Sequence, residues 1–208
     1  MTITRTWLAA AVALVCLTYS HPVYAQAYCA LRDPVQTIYS LFPAASSYES
    51  VVATVGDHAR DEIARRLDMP LHAGELGRHT LYVALKGGKP LGLVHVRSER
   101  TQWGLAEVAW ALDLDLRIID FRIQRSRSPN RDAIEAEVFR SQLRGKTSVT
   151  LAALLSGEAS GLDSQRVRVS ADDHALADAV IRSGLKAIVA TDSVWSKDIR
   201  RFRASSRQ

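Results

Sequence analysis

Cysteine is nearly absent: the 208-residue chain has two, Cys16 and Cys29. No CxxC or CxxCH occurs, which excludes a cysteine-rich zinc site and c-type haem attachment. No glycine-rich phosphate loop follows a strand-like run, so Rossmann and Walker nucleotide sites are excluded too. Neither a GxSxG nucleophile elbow nor an HExxH zinc helix is present. The six histidines are scattered. His95 alternates with apolar neighbours and reads as a packing or solvent-facing residue. His72 and His79 stand in a loop at no metal-ligand spacing, so no metal is expected. Charge of neither sign dominates, with 27 Lys and Arg against 22 Asp and Glu, evenly mixed. No nucleic-acid partner is therefore expected.

Long apolar runs are missing as well. Trp7 to Tyr19 is apolar but shorter than the roughly 20 residues that span a bilayer. Arg5 precedes it, and the small-residue stretch "HPVYAQA" follows. This is the pattern of a secretory signal peptide over residues 1–25, and the chain is expected to be exported, to the periplasm in a Gram-negative cell. Cleavage would leave Cys29 alone and preclude an intramolecular disulfide, so a hydrophobic core must carry stability. At 47% hydrophobic and 24% charged residues, the composition is that of a globular domain.

Helical spacing opens the domain. In "RDPVQTIYSLFPAA", Asp33 and Pro34 start a helix whose Ile38, Leu41 and Phe42 share one face. In "DHARDEIARRLDMPL", Asp57 caps, Ile63 and Leu67 face inward, and Pro70 stops the helix. The period then changes to two. "HTLYVALKGGKPLGLVHVRSE" alternates on both sides of Gly87-Gly88, a hairpin signal. "LAEVAWALDLDLRIIDFRIQRS" adds two strands joined near "DLDL", where the aspartates point one way and the leucines the other. Helical spacing returns through Ile134, Val138 and Leu143, and Gly145 is a natural stop. A Gly/Ser-rich loop, a short strand at Val167–Val169, an apolar helix from Ala175 and a frayed basic tail over 191–208 complete the chain. The predicted fold is α+β: a central antiparallel β-meander with helices before and after it, over residues 30–190.

Three segments could hold chemistry. Trp103 and Gly104 lie between two strands, where an aromatic can stack on a planar ring beside a closely approaching backbone; a turn with one core tryptophan is the plain alternative. Gln124, Arg125 and Arg127 stand at a strand end, where guanidinium groups can grip a phosphate; taken alone, they read first as a solvated basic loop. Gln142 and Lys146 stand at a helix end. The junction "VSADDHALADAV" collects Ser170, Asp172, Asp173 and His174 at a helix start, where backbone N–H groups favour anions. A hydrolytic Ser170–His174–Asp arrangement lacks any accompanying oxyanion or nucleophile signature. As a cap, Ser170 would accept the N–H of Asp173.

The order of these pieces resembles the extracytoplasmic FMN-binding domain family. It follows the family's sequence from the leader and "LFPAASSYESV", through the hairpin and the two further strands, to an "FxxQxxGKT" segment carried by Phe139, Gln142, Gly145, Lys146 and Thr147. The likeness covers about Ala30 to Val189. It implies an FMN-linked electron-transfer or redox-accessory module outside the cytoplasm, partnered by a membrane redox complex. Trp103 would stack on the flavin, and Arg125 and Arg127 would hold its phosphate.

Two departures bear on that implication. The family's attachment motif ends in a threonine whose hydroxyl is esterified to the FMN phosphate. The matching position here is Asp173 or His174, and neither has the hydroxyl. Asp172 and Asp173 also oppose a phosphate, by about 1 kcal/mol per pair in water and more when desolvated. The strand-end loop reads "QRSRSPN" where the family has a Glu-Thr pair followed by glycines. Covalent FMN is therefore not expected. What remains is noncovalent FMN, or a cofactor-free binding or assembly subunit of a membrane redox or transport complex. The basic tail is expected to meet an anionic membrane surface.

Overall fold

The computed structural model describes residues 33–69, 71–155, 161–163 and 165–207. The leader, Cys29, Pro70 and most of the Gly/Ser-rich loop lie outside the described residues. Strands β1 (Ser47–Val55), β2 (Gly77–Lys86), β3 (Lys89–Thr101), β4 (Gly104–Leu112) and β5 (Ile118–Arg125) pair in chain order as one antiparallel sheet. Helices α1 (Val35–Leu41) and α2 (Asp57–Leu67) come early. Helices α3 (Arg131–Glu135), α4 (Glu137–Leu143), α5 (Ser148–Ala152), α6 (His174–Val194) and α7 (Ser196–Ser206) follow the sheet. The expected α+β meander is thus present, with one strand more than its sequence pattern showed.

Period-two alternation sorts side chains to two faces. Leu81, Val83, Leu93, Val108, Trp110 and Leu112 pack under α6, while Ala84, Val94, Ala109 and Ala111 pack under Ile38, Leu41 and Phe42 of the α1 segment. The hairpin turn between β2 and β3 uses Gly87 (φ 55°) and Gly88 (φ 79°), both left-handed, as a two-residue turn requires. Gly92 has no room for a side chain: a Cβ there would lie 2.6 Å from the Leu112 carbonyl oxygen and 2.7 Å from the Phe42 ring.

Between β4 and β5 the chain turns instead of alternating. Asp113 Oδ1 accepts the N–H groups of Asp115 and Arg117 at 2.9 and 2.8 Å, so this aspartate folds the turn. Leu116 is nonetheless buried.

The edge of β5 is closed by other parts of the chain. Ile118 exchanges backbone hydrogen bonds with Gly145 and Lys146. The Phe121 N–H goes to Asp120 Oδ1, and its carbonyl accepts from Arg122. The Ile123 N–H goes to Glu135 Oε1 at 2.8 Å, and its carbonyl accepts from Arg131. An edge strand left unpaired would template further strands.

Four local expectations are corrected. The single helix through Ile134, Val138 and Leu143 is two helices, broken at Ala136, which is extended (φ −65°, ψ 148°). Ile134 and Phe139 are five residues apart and cannot share one helical face. The break buries both and leaves Val138 69% exposed. Val167–Val169 is not a strand; the Gln142 side chain takes the place of a strand partner, bonding the N–H and C=O of Arg168 at 2.7 and 2.9 Å. Asp57 is the first helical residue and Gly56 the N-cap, with no side-chain cap. The basic tail is not frayed: its last eleven helical residues form α7, which buries Ile199 and Phe202 against the core.

Candidate functional site

The residues singled out in the sequence do not form one cluster. Glu107 pairs with Arg125 and Gly104 with Thr101, so the Trp103–Gly104 turn and the C-terminal end of β5 lie at the same end of the sheet. The loop after β5 is tied to the start of α6 by Asn130 Nδ2, which donates to the Asp172 carbonyl at 2.6 Å. Trp103, Gly104, Arg125, Arg127, Ser170, Asp173 and His174 therefore belong to one end of the molecule. Trp103 is half-buried and packs on the core, while Arg127 is exposed.

Gln124 and Lys146 belong elsewhere. Gln124 Nε2 donates to Thr37 Oγ1 at 3.1 Å, on the α1 side of the sheet. Lys146 is held at the start of β5 through its backbone, where its carbonyl accepts the N–H of Ile118. The eight residues of β5 separate it from Arg125, roughly 25 Å at the strand rise. The Gln142 amide is spent on the backbone of Arg168 and Val138.

At the α6 start, the helix is preceded by a 3-10 turn, Ala171–Asp173. The Ser170 hydroxyl does not accept from the Asp173 N–H. It donates to Asp173 Oδ2 at 2.6 Å, and the Asp173 N–H goes to the Ser170 carbonyl at 3.0 Å. Charge explains the reversal, because a carboxylate is a stronger acceptor than a hydroxyl. Among the described residues no hydrogen bond joins Ser170 to His174, so the hydrolytic arrangement is not assembled. These residues do not fit FMN at this junction. The one hydroxyl is committed to a carboxylate, and Asp172 and Asp173 put two negative charges in the first turn, where they repel a phosphate.

Sequence reasoning missed a buried charge cluster under α6. Arg97 on β3 and Glu75, in a 3-10 turn at Ala73–Glu75, are both essentially inaccessible and meet at 2.7 Å through Nη2 and Oε1. Lys186 on α6 reaches Glu75 Oε2 at 3.2 Å and Glu99 Oε2 at 2.9 Å. Glu75 Oε2 also accepts the His72 N–H at 2.7 Å. Two histidines border the cluster. His79 Nε2 bonds the Glu75 carbonyl at 2.9 Å, and His95 Nδ1 bonds Thr191 Oγ1 at 2.8 Å beside the edge of Trp195. Burial first, then the Arg97 charge, pushes His79 down to about 4 and His95 well below its ordinary range. Burial pushes the Glu99 carboxyl up against the opposing pull of Lys186. The cluster combines two acids, two bases and two neutral imidazoles, and its charges cancel. The signal in the sequence was the alternation His95, Arg97, Glu99 on one strand face, which belongs to a covered face and not to solvent.

A second missed feature is a polar cleft of about 450 Å³ between α1 and β5, on the other side of the sheet. Its walls include Thr37, Arg122 and Gln124. Asp33, Gln36, Thr37 and Ser40 stand at i, i+3, i+4 and i+7, a polar stripe opposite the apolar one.

Among the described residues no group of three or more His, Cys, Asp or Glu side chains is placed to hold a metal, and no helix is long and apolar enough to cross a membrane. No family model and no curated protein matches the chain.

Proposed function

We propose that the chain is a cofactor-free protein of FMN-binding-domain-like architecture, acting outside the cytoplasm as a binding or assembly subunit of a membrane redox or transport complex. One observation carries this reading: the helix start that would hold a flavin phosphate is closed on itself by the 2.6 Å Ser170–Asp173 bond, with Asp172 adjacent. Gln142 supports it, since its amide fixes the segment leading to that helix and is not available to a ligand. In such a protein the ordered core is the functional asset, because a rigid scaffold positions surface loops for a partner.

The test is a visible spectrum and an intact mass of the purified chain, followed by titration with FMN. Colourless protein with the polypeptide mass and no change on adding FMN is the expected result. Yellow protein of unmodified mass would restore noncovalent flavin electron transfer, with Trp103 stacking and Arg125 and Arg127 on the phosphate. An added FMN mass would overturn both. The basic C-terminal segment adds a membrane arm to the proposal: Lys197 and Arg200 on α7 and Arg207 just after it are exposed, and pelleting with anionic but not neutral vesicles is expected.

A further inference from the structure

We propose that the cleft between α1 and β5 binds a small zwitterion of the α-amino-acid class. Its volume, about 450 Å³, falls in the range of small-molecule sites, roughly 300–1,000 Å³. Most such sites are chiefly apolar, whereas every wall residue here except Ile123 carries a hydroxyl, an amide or a charge, which favours a small ligand with polar ends.

The charges in the wall are not equally free. Arg131 is neutralised by Glu135, Nε to Oε2 at 2.7 Å, and the pair also clamps Ile123. Arg122 has no carboxylate of its own: its Nη1 donates to the Phe121 carbonyl at 3.0 Å and reaches Asp120 Oδ2 only at 3.4 Å, an oxygen that also receives Arg140 at 3.1 Å and Arg144 at 3.2 Å. Arg140 and Arg144 share Glu137 besides, so three guanidinium groups face two carboxylates. Arg122 therefore retains positive charge that a ligand carboxylate can meet with paired N–H donors.

The complementary group stands two residues along the same strand. Gln124 donates through Nε2 to Thr37, and its Oε1 is buried with no hydrogen-bond partner. Because that oxygen is buried, the amide must turn toward the cleft to meet a ligand N–H, and the bond then recovers stability that an unpartnered acceptor costs. Asp33 lies at the same cleft, with Oδ1 engaged by the Val35 N–H and the second carboxylate oxygen available to an ammonium. A carboxylate on Arg122 and an ammonium between Gln124 and Asp33 satisfy the three groups together. Neither a simple anion nor a simple cation does so. This assignment is independent of the flavin question, because the cleft and the α6 start lie on opposite sides of the sheet.

The experiment is NMR titration of the full chain with each of the proteinogenic L-amino acids, observing the Gln124 side-chain amide and the Arg122 Nε–H. Sodium acetate and methylammonium chloride serve as half-ligands. The expected result is saturable movement of both resonances by at least one amino acid. That affinity should be at least tenfold weaker in Arg122→Gln and in Gln124→Leu, and binding should be lost in Ser40→Trp, which fills the cleft from the α1 side. The proposal is overturned if no amino acid moves these resonances at up to about 10 mM, beyond which binding is too weak to count as specific. It is also overturned if acetate alone binds as well as the amino acid, or if wild-type affinity persists in all three variants.

Discussion

Gly184 lies where α6 crosses the indole of Trp110, and a Cβ there would come within 2.8 Å of the ring carbon Cζ2. The neighbouring Ser183 hydroxyl accepts the Trp110 N–H at 3.1 Å, so the indole cannot slide aside without losing that bond. Gly184→Ala should destabilise the fold by about 1–3 kcal/mol despite improving helix propensity, as read by urea denaturation. The buried ion cluster makes a larger demand. Glu75→Gln leaves Arg97 and Lys186 underpaired in the interior and should cost about 3–5 kcal/mol, whereas Arg144→Ala on the surface should cost at most about 1 kcal/mol. Comparable denaturation midpoints for the two variants would contradict this difference in burial. The histidines give the cluster a pH dependence. Both imidazoles have folded pKa values below the unfolded value, so the unfolded chain takes up protons that the folded chain refuses. Their contribution is intact above about 6.5 and is lost as pH falls toward about 4. For His79 alone the shift from 6.5 to about 4 is on the order of 3 kcal/mol. Glu99, whose carboxyl is raised, offsets part of this loss because its folded form accepts a proton first. A thermal midpoint that falls between pH 6.5 and 4 is expected, with a shallower fall in His79→Gln.

Among the elements, α7 departs most from its sequence pattern. Its arginines and serines suggest a solvated tail, yet Ile199 and Phe202, three apart, are buried against the core, and Arg203 Nε donates to the Leu114 carbonyl at 2.7 Å. Each is worth about 1.5–3 kcal/mol when fully buried, so truncation after Trp195 should cost several kcal/mol, visible in a chemical melt. The strands of the hairpin and β4 were legible because alternation survives wherever both faces are covered by different layers. β1 was overlooked although Tyr48, Val51, Val52 and Val55 have strand-forming side chains, because its Ser and Glu residues dilute the apolar pattern. The break at Ala136 was legible only in the five-residue spacing of Ile134 and Phe139, both of which it buries. The short helix before it also sets Arg131 and Glu135 against Ile123. The double substitution Arg131→Ala, Glu135→Ala should uncover the β5 edge and promote concentration-dependent self-association, measurable by light scattering. A strictly monomeric variant would argue that the cap is dispensable.

For the whole molecule, the sequence located the layers better than the sites. Trp103, Arg125 and the α6 start do converge on one end, as their order in the chain suggested, but Gln124 and Lys146 are carried away by the pleat and by the length of β5. The buried cluster was hidden because its members come from four separate segments, with Glu75 and Lys186 111 residues apart. Only the closed sheet reveals such a grouping. The same separation governs the order of assembly. Each strand pairs with its neighbour in the meander, whereas His95 waits for Thr191, 96 residues further on. A chain emerging N-terminus first therefore completes its sheet before α6 exists to cover it. Until then Trp110, Arg97 and Glu75 stand open to water, a sticky and partly charged face that resists premature collapse better than an all-hydrocarbon one. The ion cluster that costs desolvation in the finished protein keeps the half-made one soluble.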